Sequence, residues 1–144
     1  MNFTLNALRL DKGGRAPPRP LTLEHRKGIG QAMLIYKIFR RPEWDAFRTA
    51  GQTLGAPVDL ADGFIHFSTA AQVVETAARH FAQESDLVLV AFDAETLGEA
   101  VKWESSRNGQ LFPHLYRALR LDEVIWDKSL PLGASGHIFP EGLL

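Results

Sequence analysis

Asp62-Gly63-Phe64-Ile65-His66-Phe67-Ser68-Thr69 places a titratable ring two residues before a hydroxyl and just ahead of a predicted helix start. If the middle of this stretch is extended, Phe64, His66 and Ser68 share one side of a strand, and Ile65 and Phe67 take the other. A neutral imidazole accepts a proton, and a hydroxyl donates or accepts a hydrogen bond. The unpaired N–H groups of a helix start attract negative charge, so the stretch suits binding of, or acid–base work on, a small polar or anionic ligand. The competing reading of His66 is a strand histidine hydrogen-bonded within the core.

Further along, His114 and Tyr116 alternate onto one face and are candidates for a second wall of the same site. Glu104 is a candidate general acid or acceptor for a sugar hydroxyl, with a solvated strand residue as the plain alternative. His66, His114, Glu104, Asp59 and Asp62 are also the residue types of a zinc, iron or manganese site. No His-x-His or His-Glu-x-x-His spacing supports that set, and Asp62-Gly63 is explained by turn chemistry. Ser68 lacks the Gly-x-Ser-x-Gly frame of a hydrolase nucleophile. Trp44, Trp103 and Trp126 read as core rather than as ligand platforms.

The elements that must carry these residues are legible in part. Leu34 to Phe39 is β-branched and aromatic and predicts a strand. Pro42, Trp44 and Phe47 predict a short helix closed by Gly51, followed by an irregular loop to the Asp62-Gly63 turn whose length points to a functional loop. Thr69-Ala70-Ala71-Gln72 is a capping-box pattern. The helix after it carries a stripe of Val73, Val74, Ala77, Ala78 and Phe81, with Gln72, Glu75, Thr76 and Arg79 facing out. Leu87 to Phe92 is a continuous apolar run and predicts a central strand covered on both faces. Val101 to Glu104 predicts a strand with Val101 and Trp103 inward, Phe112 to Tyr116 an edge or end strand because of Pro113, and Val124 to Trp126 a last short strand. The class is α+β, with a mixed or antiparallel sheet and two short helices.

The 144 residues contain no cysteine, which removes disulfides, thiolate metal sites and cysteine nucleophiles. Residues 1–32 hold six Lys/Arg against two acids, and residues 33–144 hold ten against fifteen. Gly and Pro punctuate the leader, which reads as an unfolded basic extension: a start assigned too early, with Met33 the working initiator, or else a targeting leader or a binding tail. Residues 33–130 form one α+β domain, and residues 131–144 read as an irregular tail. The acidic body argues against nucleic acid as main partner but not against a small anionic ligand. No apolar run is long enough to span a membrane, and a cytoplasmic location is expected.

The motifs Leu34-Ile-Tyr-Lys-Ile, Asp62-Gly-Phe-Ile-His-Phe-Ser-Thr, Lys102-Trp-Glu and Leu111-Phe-Pro-His-Leu-Tyr occur in that order and resemble a bacterial family, domain of unknown function 952. The family is assigned to the ADP-ribosyltransferase-like fold. The resemblance therefore implies a split sheet with a cleft able to take a nicotinamide dinucleotide, NAD being a substrate. It implies that His66 with Ser68 and Thr69 stands for an element that holds the ribose and nicotinamide, that Tyr36 lies near the same cleft, and that Glu104 stands where a transferase places its catalytic acid. Two departures are visible: Arg79 and Arg107 are the only candidates for gripping phosphate, and no Gln-x-Glu or Glu-x-Glu occurs. The expectation is a cleft with His66 and Glu104 catalytic and Tyr36, Ser68, Thr69, His114 and Tyr116 binding NAD or another nucleotide-like or small anionic ligand. A non-catalytic binding or regulatory module is the alternative, and a metal-dependent hydrolase the third.

Overall fold

A computed structural model of the chain describes residues 33–143. The reading of residues 1–32 as an unfolded extension lies outside the described residues.

The central layer is a sheet of three antiparallel strands in the order β1 (Leu34–Arg40), β4 (Leu87–Asp93), β8 (Trp126–Leu130). β4 is in the middle and all seven of its residues are buried, as its unbroken apolar run requires. The period of two in β1 and β4 divides the core. Ile35, Phe39, Val88, Val90 and Phe92 belong to one cluster, and Tyr36, Ile38, Leu87, Leu89 and Ala91 belong to the other.

The first cluster is closed by helix α1 (Arg41–Ala50) and by a second sheet. Pro42 occupies the first turn of α1, where its missing N–H costs nothing, and Gly51 ends the helix at φ +82°. Between them Trp44 and Phe47 meet Phe39, each ring 5.5 Å from the Phe39 ring. The second sheet is antiparallel in the order β3 (Ile65–His66), β6 (Leu111–Leu115), β5 (Val101–Ser105). Ile65, Phe67 and Leu115 point inward from it into the first cluster. Residues alternating with them must face outward.

The second cluster is covered by α3 (Ala70–His80) and by Leu130, with Phe139 and Leu143 packed against it. Short elements complete the chain: β2 (Gln52–Thr53) pairs with β7 (Leu119–Arg120), α2 (Pro57–Asp62) precedes β3, and α4 (Ala94–Leu97) ends at Gly98, φ +83°. Among the described residues no helix is long and apolar enough to cross a membrane.

The α+β class and the antiparallel pairing agree with the expectation, and several details differ. Among the described residues four α-helices stand where two were expected, two of them too short to show a helical period, and the last strand of the central sheet is Trp126–Leu130 rather than Val124 to Trp126. β6 is the middle strand of its sheet rather than an edge, despite Pro113. Its absent donor falls opposite Phe67, just beyond the end of β3, where the Pro113 carbonyl accepts the Phe67 N–H at 3.0 Å and only one ladder bond is forgone. Trp103 is exposed, because β5 is an edge strand and the core beneath it reaches Val101 but not Trp103. Gln72 faces inward and Val74 outward: the Gln72 amide donates to the Leu111 carbonyl at 2.9 Å, and this tie sets the rotation of α3. The segment after Leu130 holds a small hairpin, β9 (Leu132–Gly133) with β10 (Gly136–His137), and the His137 ring meets the Glu84 carbonyl at 2.8 Å.

Candidate functional site on the outer face of the second sheet

Register decides which outward side chains meet. His66 pairs with His114, and His114 with Lys102, so these three project from one face, with Glu104 two residues from Lys102 on the same side. Phe64, two residues before His66, folds its ring into the middle of this group. Its centroid is 4.2 Å from that of His114, 4.7 Å from His66 and 5.2 Å from Tyr116. The two imidazoles lie edge to face at 5.3 Å. Planar groups at such spacings form a cohesive aromatic surface.

His66 is held from below. Its Nδ1 is 2.5 Å from Oδ1 of Asp59, and the same oxygen accepts the His66 backbone N–H at 3.1 Å. Asp59 is fully buried, and its other oxygen accepts the Ala56 N–H at 2.7 Å and pairs with the Lys37 ammonium at 2.8 Å. Burial pushes the Asp59 carboxyl up, but the hydrogen bond from His66 and the charge and hydrogen bond of Lys37 outweigh it and lower the pKa to about 2. Asp59 is thus an anion throughout the ordinary pH range. It orients the ring with Nδ1 toward the interior and Nε2 outward, where the exposed Asp62 carboxylate meets it at 3.0 Å.

The local sequence explains this anchor. Pro57 starts α2, Asp59 caps the Ala56 N–H from the third helical position, and Gly63 ends the helix at φ +87° and returns the chain into β3. Gly55, at φ +103°, lies so close to Asp59 that a Cβ there would collide with the carboxylate. The stretch expected to be an irregular loop therefore contains a helix whose purpose in the fold is to present Asp59. Lys37 reaches Asp59 from the first-cluster face of β1 and also donates to the His66 carbonyl at 3.2 Å.

On the other side of Phe64, Glu104 Oε1 accepts from His114 Nδ1 at 2.7 Å and from the Tyr116 hydroxyl at 2.8 Å. These hydrogen bonds, His114 first, lower the Glu104 pKa, and the bond to Glu104 raises that of Tyr116. Glu104 is consequently an ionised acceptor, suited to a ligand hydroxyl or a developing positive charge rather than to proton donation.

His66, Glu104, His114 and Tyr116 are therefore brought together. Tyr36, Ser68 and Thr69 have no hydrogen bond or ring contact with that cluster. Tyr36 lies in the second core cluster with its ring 5.8 Å from Trp126, and burial raises its pKa. The Ser68 hydroxyl meets that of Thr76 at 2.8 Å, and its backbone pairs with Tyr36. Thr69 caps α3, its N–H donating to Gln72 Oε1 at 3.0 Å. In the sequence Phe64 stands out only as sharing a strand side with His66, Lys37 only as part of a strand motif and Asp59 only as a metal-ligand type, yet all three take part in the site. A lysine in the middle of an otherwise apolar strand, and a phenylalanine two residues from the histidine, were the available signals. Among the described residues no group of three or more His, Asp or Glu is arranged to hold a metal ion. A surface concavity lined by Gly51, Gln52, Arg120, Leu121 and Asp122 shares no residue with the cluster and has no chemistry beyond an Arg120–Asp122 ion pair.

The family model described as "Protein of unknown function (DUF952)" matches residues 38–127, a span from the middle of β1 into β8 that includes Asp59, Phe64, His66, Glu104, His114 and Tyr116. The chain belongs to the DUF952 family. The DUF952 domain is similar to protein CC0527 from Caulobacter crescentus. Against its crystal structure the identity is 54%, covering 72% of this chain and 91% of that one, with a TM-score of 0.70. Against its solution NMR structure the identity is 53%, covering 73% and 90%, with a TM-score of 0.66. No curated protein matches the chain.

Proposed function

We propose that this DUF952 domain is an ADP-ribosyltransferase-like domain that binds a nucleotide-like ligand, NAD among the candidates, on the outer face of the β3–β6–β5 sheet. The observation that carries the reading is the convergence of His66, His114, Tyr116 and ionised Glu104 around the Phe64 ring. A planar base or nicotinamide stacks on the aromatic surface, and Glu104 accepts a ribose hydroxyl. If transfer occurs, Glu104 stabilises the positive charge developing on the ribose, and His66 exchanges a proton at Nε2 once Asp62 swings aside. Ser68, Thr69 and Tyr36 serve the site through the strand-to-helix junction rather than by touching ligand. The division into two three-stranded sheets supports the split-sheet comparison.

A second reading is favoured by the Asp62 carboxylate on His66 Nε2. With that nitrogen engaged, the same surface works as a non-catalytic binding or regulatory module. A metal-dependent hydrolase has no comparable support.

The test is a thermal-shift screen of the full chain with NAD, ADP-ribose, adenosine, and magnesium and zinc salts. Saturating NAD or ADP-ribose is expected to raise the melting temperature by about a few degrees, and Phe64→Ala to abolish the rise. A response to metal alone, or an equal response in Phe64→Ala, overturns the reading. Nicotinamide release from NAD by the wild type, lost in Glu104→Gln with ligand binding retained, separates the transferase from the binding module.

A further inference from the structure

We propose that two copies of this chain pair through the free edge of β5, about a dyad at Trp103, so that each copy sets its Lys102 against Glu104 in the candidate site of the other. The pairing goes beyond the ligand reading above and holds whatever ligand the aromatic cluster takes.

β5 is the open edge of its sheet. At the opposite edge the Asp59 carboxylate takes the His66 N–H of β3, and the chain just beyond β3 pairs Ser68 with Tyr36. No such cover lies along β5, where Lys102, Trp103 and Ser105 are exposed. The Tyr116 N–H donates to the Ala100 carbonyl and the Ser106 N–H to the Gln110 carbonyl, each at 2.9 Å. Bonded pairs alternate along an antiparallel ladder, so between those two the bonded pairs are Lys102 with His114 and Glu104 with Phe112. The backbone groups of Val101, Trp103 and Ser105 therefore point away from β6. The Gly98 carbonyl takes the Val101 N–H, which leaves the Val101 carbonyl, both groups of Trp103 and the Ser105 N–H for a further strand.

The sequence along that edge is complementary to itself. Antiparallel pairing about Trp103 lets the two Trp103 residues exchange both backbone bonds and sets each Ser105 N–H on a Val101 carbonyl. Lys102 then falls directly opposite Glu104 of the second copy, and Glu104 opposite its Lys102, in the closer type of pair with Cα atoms about 4.5 Å apart. Both side chains are available. Lys102 has no hydrogen bond or ion pair among the described residues, and the bonds that Glu104 accepts from His114 and Tyr116 both end on Oε1, leaving Oε2. On the other face of the sheet the two indoles meet across the dyad, and each covers part of the other's surface, which is 38% exposed in the single chain. An extended peptide of another protein would meet the same backbone groups but not this reciprocal charge match, which selects a second copy as the occupant.

Pairing joins the two three-stranded sheets edge to edge. A dyad between antiparallel strands stands perpendicular to the sheet, so both aromatic clusters lie on the same side, with their β6 strands about 14 Å apart. Each site thereby gains an ammonium from its neighbour beside Glu104.

The experiment is sedimentation equilibrium of the full chain from about 1 µM to 1 mM, in which a small interface of this kind is expected to dissociate at roughly 1–100 µM. Lys102→Glu and Glu104→Lys, which set like charges opposite one another, should each weaken self-association about tenfold or more, while an equimolar mixture of the two variants should pair about as tightly as wild type. Trp103→Pro removes an outward N–H and the indole but no bond to β6, so it should give a monomer with a dispersed amide spectrum. In the wild type the Trp103 and Ser105 amides should exchange with deuterium more slowly at the high end of the concentration range than at the low end. A chain that stays monomeric at the highest concentration, or a dimer that Trp103→Pro leaves equally tight, overturns the proposal. So does a mixture of the two charge variants that associates no more tightly than either alone.

Discussion

Asp59 gathers the Ala56 amide, the His66 amide, the His66 ring and the Lys37 ammonium onto two oxygens inside the protein. Asparagine offers one acceptor and one donor there, so Asp59→Asn turns a donor toward groups that need an acceptor and leaves Lys37 buried without its partner. We expect a loss of about 3 kcal/mol in urea unfolding, with the midpoint shifted and the slope unchanged. The pH dependence has a definite sign. The folded pKa, about 2, lies below the 3.8 of an unperturbed aspartate, so Asp59 contributes about 2 kcal/mol that is present above pH 4 and lost as pH falls through 2. In Asp59→Asn the acid limb of the stability profile should flatten over that window. Sequence displayed His66 plainly, because a histidine beside a turn and a capping pattern is a local feature. It did not display the carboxylate beneath it, because the contact of Asp59 with Lys37 depends on how α2 lies against β1, a tertiary fact.

At the scale of elements, the strands and the two longer helices are readable from period and punctuation, and the orientation of α3 shows what is not. A pattern of apolar residues shows that a helix has a buried face, but its rotation is fixed by what it packs on. α3 is turned by the Gln72 tie to β6, so Gln72 is buried and Val74 exposed. Gln72→Ala should cost about 1 kcal/mol in chemical denaturation, whereas Val74→Lys should stay within about 0.5 kcal/mol of wild type, the reverse of what the apolar stripe suggests. α2 is hidden for a related reason: its six residues, Pro57–Asp62, are too few to show periodicity. Its test is Gly55→Ala, which combines a left-handed backbone position with a collision against Asp59. A destabilisation of about 2 kcal/mol is expected, together with a shifted His66 ring resonance.

For the whole molecule, the two clusters on opposite faces of β1 and β4 divide the labour. One joins the central sheet to the sheet that carries the candidate site, and the other joins it to α3 and the chain's last residues. Phe139→Ala should therefore lower the melting temperature by about a few degrees while leaving ligand binding at Phe64 intact, which a paired thermal-shift and titration series would show. The sheet order also has a kinetic consequence. Tyr36 pairs with Ala91, and Ala91 with Trp126, so the central sheet closes only when strands from the beginning, middle and end of the domain meet. The β4–β8 half of this pairing is unavailable to a nascent chain until β8 has left the ribosome. Refolding in a stopped-flow mixer should accordingly run on the millisecond-to-second scale, about that of non-local β topologies, and not on the microsecond scale of helical bundles.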